Sequence, residues 1–128
     1  MNNLEKRKEV IKYSIKLNTT NLSPLRSGNI SVRSIENSVE GFLITPSGKK
    51  YDTLKEEDIV FVSNKGDHDK NLKPSSEWRF HKDIYLKKPD AKAIVHAHSP
   101  HATAVSAHGK DVPAFHYMIA LAGGDSIK

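Results

Sequence analysis

Three of the seven histidines in this chain fall within six positions, in the stretch AIVHAHSPHA at 93–102. The apolar run Ala93-Ile94-Val95 reads as a strand that delivers His96 and His98. Side chains two apart on a strand leave the same face, so both imidazoles would emerge together where the strand ends at Ser99-Pro100. Two nitrogens so placed can reach one metal ion at about 2.0–2.1 Å each. They are equally compatible with two polar residues at a strand end, and spacing alone does not choose between these readings. His101 falls in the first turn of the following helix, where a structural or supporting role is expected. The chain has no cysteine, so any metal must be held by nitrogen and oxygen.

Glu77 is the next residue able to do chemistry. The segment SSEWRFHKDIYLKK places Glu77, Phe80, His81 and Ile84 at i, i+3, i+4 and i+7, one face of a helix. Phe80 and Ile84 mark that face as buried, so the carboxylate at its head is aimed at the protein or a cleft. A carboxylate in a helix's first turn is also explained by the helix dipole alone. The sharper reading is an acid/base or a metal ligand beside the imidazoles. Three short stretches could cradle an anion: Ser27-Gly28-Asn29 before a strand, Thr45-Pro46-Ser47-Gly48 after one, and Ser75-Ser76 at the head of the Glu77 helix, where backbone N–H groups are free. Each alone is a weak signal, because these are ordinary turn residues.

The elements that must position these groups are legible in outline. Residues 4–18 carry Leu4, Val10, Ile11, Ile15 and Leu17 at helical spacing. Strands are expected over 29–33 and 41–45, joined by a hairpin through 36–40, and over 59–63. Thr53-Leu54-Lys55-Glu56 has the form of a capping box and predicts a short helical turn. A helix is expected from Ser75-Ser76 to about Lys88, stopped by Pro89, then a strand over 91–98. Pro100 opens another helix as its first residue, ending near Gly109. Residues 112–122 fit strand and helix equally. Hairpins mixed with helices imply a sheet covered by helices in a single domain over 1–128. The chain stops soon after Gly123-Gly124, an arrangement typical of a connection, so it is expected to be C-terminally incomplete.

Composition narrows the partners. A net charge of +5 suits anions, yet the lysines are interleaved with acids, as in KEED (55–58). That pattern argues against a nucleic-acid face and leaves a small phosphorylated substrate open. No apolar run approaches a membrane span, the first residues have no secretory h-region, and the lack of cysteine fits a cytoplasmic location.

Taken together, SGNISVR (27–33), LITPSG (43–48), IVFV (59–62), PSSEWRFH (74–81), PDAKAIVHAHSPHATAVS (89–106) and PAFHYMIALAGGDSI (113–127) resemble the class II aldolase/adducin family over nearly the whole chain. The resemblance implies an α/β fold: a three-layer α/β/α arrangement around a mostly antiparallel sheet. It implies Zn2+ as cofactor, held by His96 and His98 with Glu77 close by, and Glu77 as catalytic acid/base. It implies a phosphate cradle of Gly28, Asn29, Ser47, Gly48, Ser75 and Ser76, and Tyr117 as a proton donor across a subunit boundary in a homotetramer. The implied reaction is cleavage of L-fuculose 1-phosphate, or a similar ketose 1-phosphate, to dihydroxyacetone phosphate and L-lactaldehyde. Pentulose-5-phosphate 4-epimerases of the same family carry Asp where this chain has Glu77, which favours the aldolase. Family sites use a third histidine that His101, His108 and His116 do not match, so a non-catalytic remnant of the fold is the remaining alternative.

Overall fold

A computed structural model describes residues 2–128. The first helix, α1 (Asn3–Thr19), begins with a reciprocal capping box: the Asn2 side chain accepts from the Glu5 N–H and the Glu5 carboxylate accepts from the Asn2 N–H, each at 2.9 Å. These two bonds satisfy N–H groups that no helical carbonyl can reach. Strands β1 (Asn29–Glu36) and β2 (Val39–Ile44) form the expected hairpin, but with a tighter turn. Only Asn37 and Ser38 connect them, with φ of 49° and 64°. Positive φ at both central residues is what a two-residue hairpin of the strands' own twist requires, and it lets the strands run longer than the alternation of their side chains suggests.

Strands β3 (Val60–Ser63) and β4 (Ala93–His96) complete an antiparallel sheet in the order β3-β2-β1-β4. Its inner strands are covered on both faces. On one side Leu43 of β2 and Ile30 of β1 pack with Val10 and Leu17 of α1, Tyr51 and Ile59. On the other, Phe42 and Ile44 of β2 pack with Val60, Val62 and Tyr85. Tyr85 belongs to α2 (Trp78–Lys87), so the two helices sandwich the sheet. This is the three-layer α/β/α arrangement, and its reason is visible in β2, where four consecutive residues are buried. A strand apolar on both faces needs a layer on each. Arg33 of β1 ties the second helix to the sheet: its guanidinium donates to the carbonyls of Tyr85, Lys88 and Ala91 at 2.9–3.1 Å, at the C-terminal end of α2.

Several local expectations are corrected. The helix expected from Ser75 begins at Trp78, because the preceding residues are committed to another pairing. Thr45–Ser47 and Lys73–Ser75 run alongside each other through Ser47 N–H to Lys73 O (2.8 Å) and Ser75 N–H to Thr45 O (2.9 Å), with Pro46 opposite Pro74. Thr53 does not cap a turn; its hydroxyl donates back to Lys50 O, and short 3₁₀ turns stand at Tyr51–Thr53 and Glu56–Asp58. The strand expected over 91–98 covers only 93–96. Helix α3 (Pro100–Ala107) starts with Pro100 as its first residue, as expected, and is followed by Gly109 at φ 61°. The ambiguous segment resolves into β5 (Val112–Pro113), a 3₁₀ stretch Tyr117–Ala122 and β6 (Ser126–Ile127), with β5 and β6 paired as a two-stranded ribbon.

Candidate functional site

The antiparallel register sets the site. β4 lies against β1 with His96 opposite Asn29 and Ile94 opposite Ser31. Ile94 faces the core beneath α2, and alternation puts His96 on that same face, where its ring meets Phe80 edge-on at 5.2 Å. His98 lies beyond the strand. It still reaches the same point, because the Ser23 hydroxyl receives its backbone N–H at 2.7 Å and curls the chain end inward. The two Nε2 atoms stand 2.7 Å apart. Convergence of the two imidazoles is therefore as expected, but a loop achieves it and not the strand's period of two.

Glu77 sits at the N-cap of α2, one residue before the helix rather than inside its first turn. From there Oε2 stands 3.5 Å from His96 Nε2 and accepts the Asn29 side-chain amide at 2.5 Å. One donor atom each from Glu77, His96 and His98 lies within 4.8 Å of the others. Ligand atoms of a tetrahedral zinc with bonds of 2.0–2.1 Å stand about 3.3 Å apart, so the Glu77–His96 separation fits a metal and the two imidazoles need to part by roughly half an ångström. Two nitrogens and one carboxylate oxygen form a donor set suited to zinc. His101 lies exposed in the first turn of α3, outside this cluster; among the described residues neither it, His108 nor His116 joins the group.

Beside the cluster is a polar cleft of about 250 Å³, lined by the expected cradle residues Gly28, Asn29, Ser47, Gly48, Ser75 and Ser76, with Glu77 and His98 at its edge. All six therefore meet in one place. Gly28 is fixed there by geometry. Its φ is +77°, and a Cβ would stand 2.6 Å from both His96 O and Ser23 Oγ. Only glycine lets that turn pass so close to the strand bearing the imidazole. Gly48, at φ +78°, borders open space.

Four lining or bracing residues escaped the sequence reading. Tyr51 is buried, and its hydroxyl donates to Gly28 O at 2.6 Å, bracing the cradle turn from below. Burial, and then the nearby Glu77 charge, push its hydroxyl pKa above the usual range, against a lowering hydrogen bond with Thr45. Ser23 braces His98. Arg26 lines the cleft and donates to Gly48 O at 2.8 Å. Lys49 lines it too, but its ammonium is engaged with Asp58 at 2.5 Å, a bond that holds the Asp58 carboxyl below its ordinary range. Arg26 shows no apolar periodicity and no capping role, so a cation between Leu25 and Ser27 carried no signal until the fold closed the loop over Gly48.

Tyr117 is not brought to this cleft. It is 79% exposed and lines a separate depression with Phe115, His116 and Gly124. Among the described residues no helix is long and apolar enough to cross a membrane.

A family model described as Class II Aldolase and Adducin N-terminal domain matches residues 8–128. The chain is 45% identical to "L-fuculose phosphate aldolase" of Escherichia coli K12 over 120 residues, 94% of this chain and 54% of that protein. It is 46% identical to "5-methylthioribulose-1-phosphate/5-deoxyribulose-1-phosphate aldolase" of Rhodospirillum rubrum over 110 residues, 86% of this chain and 48% of that one. A solved structure titled "L-fuculose 1-phosphate aldolase" superposes with a TM-score of 0.81 at 38% identity, covering 97% of this chain and 57% of that chain. The chain thus spans about half the length of these relatives.

Proposed function

Since the chain belongs to the class II aldolase and adducin N-terminal domain family, we propose that it carries the metal and phosphate portion of an aldolase site. The observation that carries this reading is the meeting of Glu77, His96 and His98 at the edge of a cleft lined by the cradle residues. The proposed substrate is L-fuculose 1-phosphate or a similar ketose 1-phosphate, cleaved for fuculose to dihydroxyacetone phosphate and L-lactaldehyde. Relatives named for fuculose phosphate and for 5-methylthioribulose 1-phosphate both match well, so the family chemistry is better supported than the aldehyde half.

In this reading His96, His98 and the Glu77 carboxylate hold Zn2+. The ion, when bound, supplies a Lewis acid that draws charge from the substrate oxygens as the carbon–carbon bond breaks. The phosphate rests in the cradle formed by Gly28, Asn29, Ser47, Gly48, Ser75 and Ser76, with Arg26 adding a positive charge at its rim. Fixing the phosphate holds the scissile bond in register and removes much of the entropic barrier. Glu77, oriented by the Asn29 amide, moves the proton at the carbon that ends in dihydroxyacetone phosphate. Tyr117, exposed on the far segment, serves the aldehyde oxygen of a neighbouring subunit in a homotetramer. Exposure of Phe115, Tyr117 and Leu121 on that segment supports a subunit contact there. A cytoplasmic location and the absence of nucleic-acid or membrane partners complete the proposal.

The test is zinc content per chain, measured for the wild type and for His96→Ala, with lactaldehyde release from L-fuculose 1-phosphate followed alongside. About one zinc per chain, lost in the variant, supports the site. No zinc in the presence of excess metal overturns the metal assignment for this chain. Interconversion of pentulose 5-phosphates without aldehyde release would reassign it to the epimerase branch.

A further inference from the structure

Between α2 and the sheet lies a strip of buried polar groups, of which only Asn29 also lines the phosphate cradle. Asn29 is 2% exposed, and Ser31, His81 and Tyr85 are equally enclosed. They form one continuous chain of contacts. Tyr85 Oη meets Ser31 Oγ at 2.8 Å, Ser31 Oγ meets His81 Nδ1 at 2.7 Å, and His81 Nε2 makes a short contact with Asn29 Oδ1. Asn29 Nδ2 then reaches Glu77 Oε2. A buried polar strip of this kind is unfavourable unless every member is satisfied. A helix facing a sheet has no need of it, since apolar residues would fill the same space.

The direction of every bond follows from one end. An ionised Glu77 carboxylate only accepts, so the group of Asn29 facing it must be the NH2. That leaves Asn29 Oδ1 facing His81, which must offer a proton on Nε2. A neutral imidazole then has a bare Nδ1, which accepts from the Ser31 hydroxyl, and Ser31 in turn accepts from Tyr85. The opposite polarity would set the Asn29 carbonyl against the carboxylate at 2.5 Å, two acceptors in contact.

The geometry points to His81 as a positioning residue for Glu77, acting through Asn29. Held as the Nε2–H tautomer by Ser31 and Tyr85, it locks the Asn29 amide with its donor toward the carboxylate. Glu77 is thereby kept in one rotamer beside His96. The second Asn29 amide proton stays available to an anion in the cleft, so one side chain orients both the carboxylate and part of the cradle. What Glu77 is oriented to do rests on the aldolase reading; that it is oriented by His81 does not.

Nuclear magnetic resonance on the labelled chain tests this without metal or turnover. Long-range nitrogen correlations are expected to show His81 as the Nε2–H tautomer at pH 7. The Asn29 side-chain amide is expected to exchange slowly with solvent, and Glu77 couplings to report a single rotamer. In His81→Leu, Asn29 protection is expected to fall at least tenfold and the Glu77 couplings to average. In His81→Gln, whose amide nitrogen can stand where Nε2 stood, both are expected to be largely restored, which lost packing alone would not produce. Should His81→Leu fail to fold, Ser31→Ala removes the donor to Nδ1 at almost constant packing, and a mixed tautomer is expected. An Nδ1–H tautomer in the wild type would overturn the inference. So would Asn29 protection and a Glu77 rotamer unchanged in the leucine variant, or a pure Nε2–H tautomer persisting in Ser31→Ala. Failure of the zinc and aldolase assays would leave these readouts intact, and the converse holds.

Discussion

Acid should unfold this protein through one histidine more than through any other. His81 is fully enclosed between α2 and the sheet, and burial, followed by the charge of nearby His96, pulls its pKa from 6.5 to about 4. The unfolded chain takes up the His81 proton near 6.5, whereas the folded chain resists it down to about 4. Protonation therefore favours the unfolded state in that window. The stabilisation is fully present above 6.5 and is lost as the pH falls toward 4. At about 1.4 kcal/mol per pH unit, the interval amounts to ~3 kcal/mol, a large part of the 5–15 kcal/mol typical of a domain. Other groups titrate in the same range, so the comparison must be internal. Urea unfolding of the wild type and of His81→Gln at pH 7.0, 6.0, 5.0 and 4.5 isolates the term, because glutamine does not titrate. The expected result is a wild-type stability that falls more steeply with acid, the two curves converging by roughly 2.5 kcal/mol between pH 7.0 and 4.5. Parallel curves would refute the reasoning and mean that His81 is hydrated or protonated in the folded state.

Gly28→Ala should destabilise the fold and disorder the cleft, because its Cβ would meet the His96 carbonyl at a φ of +77°; thermal unfolding should show a loss of about 1–3 kcal/mol. Ser38→Gly should instead stabilise the β1–β2 hairpin by roughly 1 kcal/mol, since Ser38 carries a φ of 64° that glycine adopts freely, and an unchanged midpoint in urea would contradict this. Arg26→Ala should weaken binding of inorganic phosphate by roughly five- to tenfold, the loss of one charge-assisted contact, without altering thermal stability; equal affinity would remove Arg26 from the cradle. Arg33→Met should cost about 1–3 kcal/mol, because three carbonyls at the end of α2 lose their donor.

The sequence by itself determined the chemistry-bearing residue types, the hairpin, the first helix and the family. Residues 29–33, 41–45 and 59–63 alternate or run apolar because the sheet is covered on both faces, and that local pattern survives in any one strand. Glu77, His96 and His98 could likewise be named from type and spacing. What spacing could not supply was where each sits relative to its element. Glu77 stands one residue before α2 instead of lying within it, because Ser75 is tied to Thr45 across the Pro46–Pro74 pairing, thirty residues apart in sequence. His98 turns toward His96 because the Ser23 hydroxyl, far upstream, catches its backbone. His81 was legible only as one more residue on a buried face; its link to Glu77 passes through Asn29, 52 residues away. Side-chain period is a property of one element and is written locally. The direction of a hydrogen bond between buried groups is set only when distant strands and helices close on each other and exclude water, so the tertiary structure alone decided it.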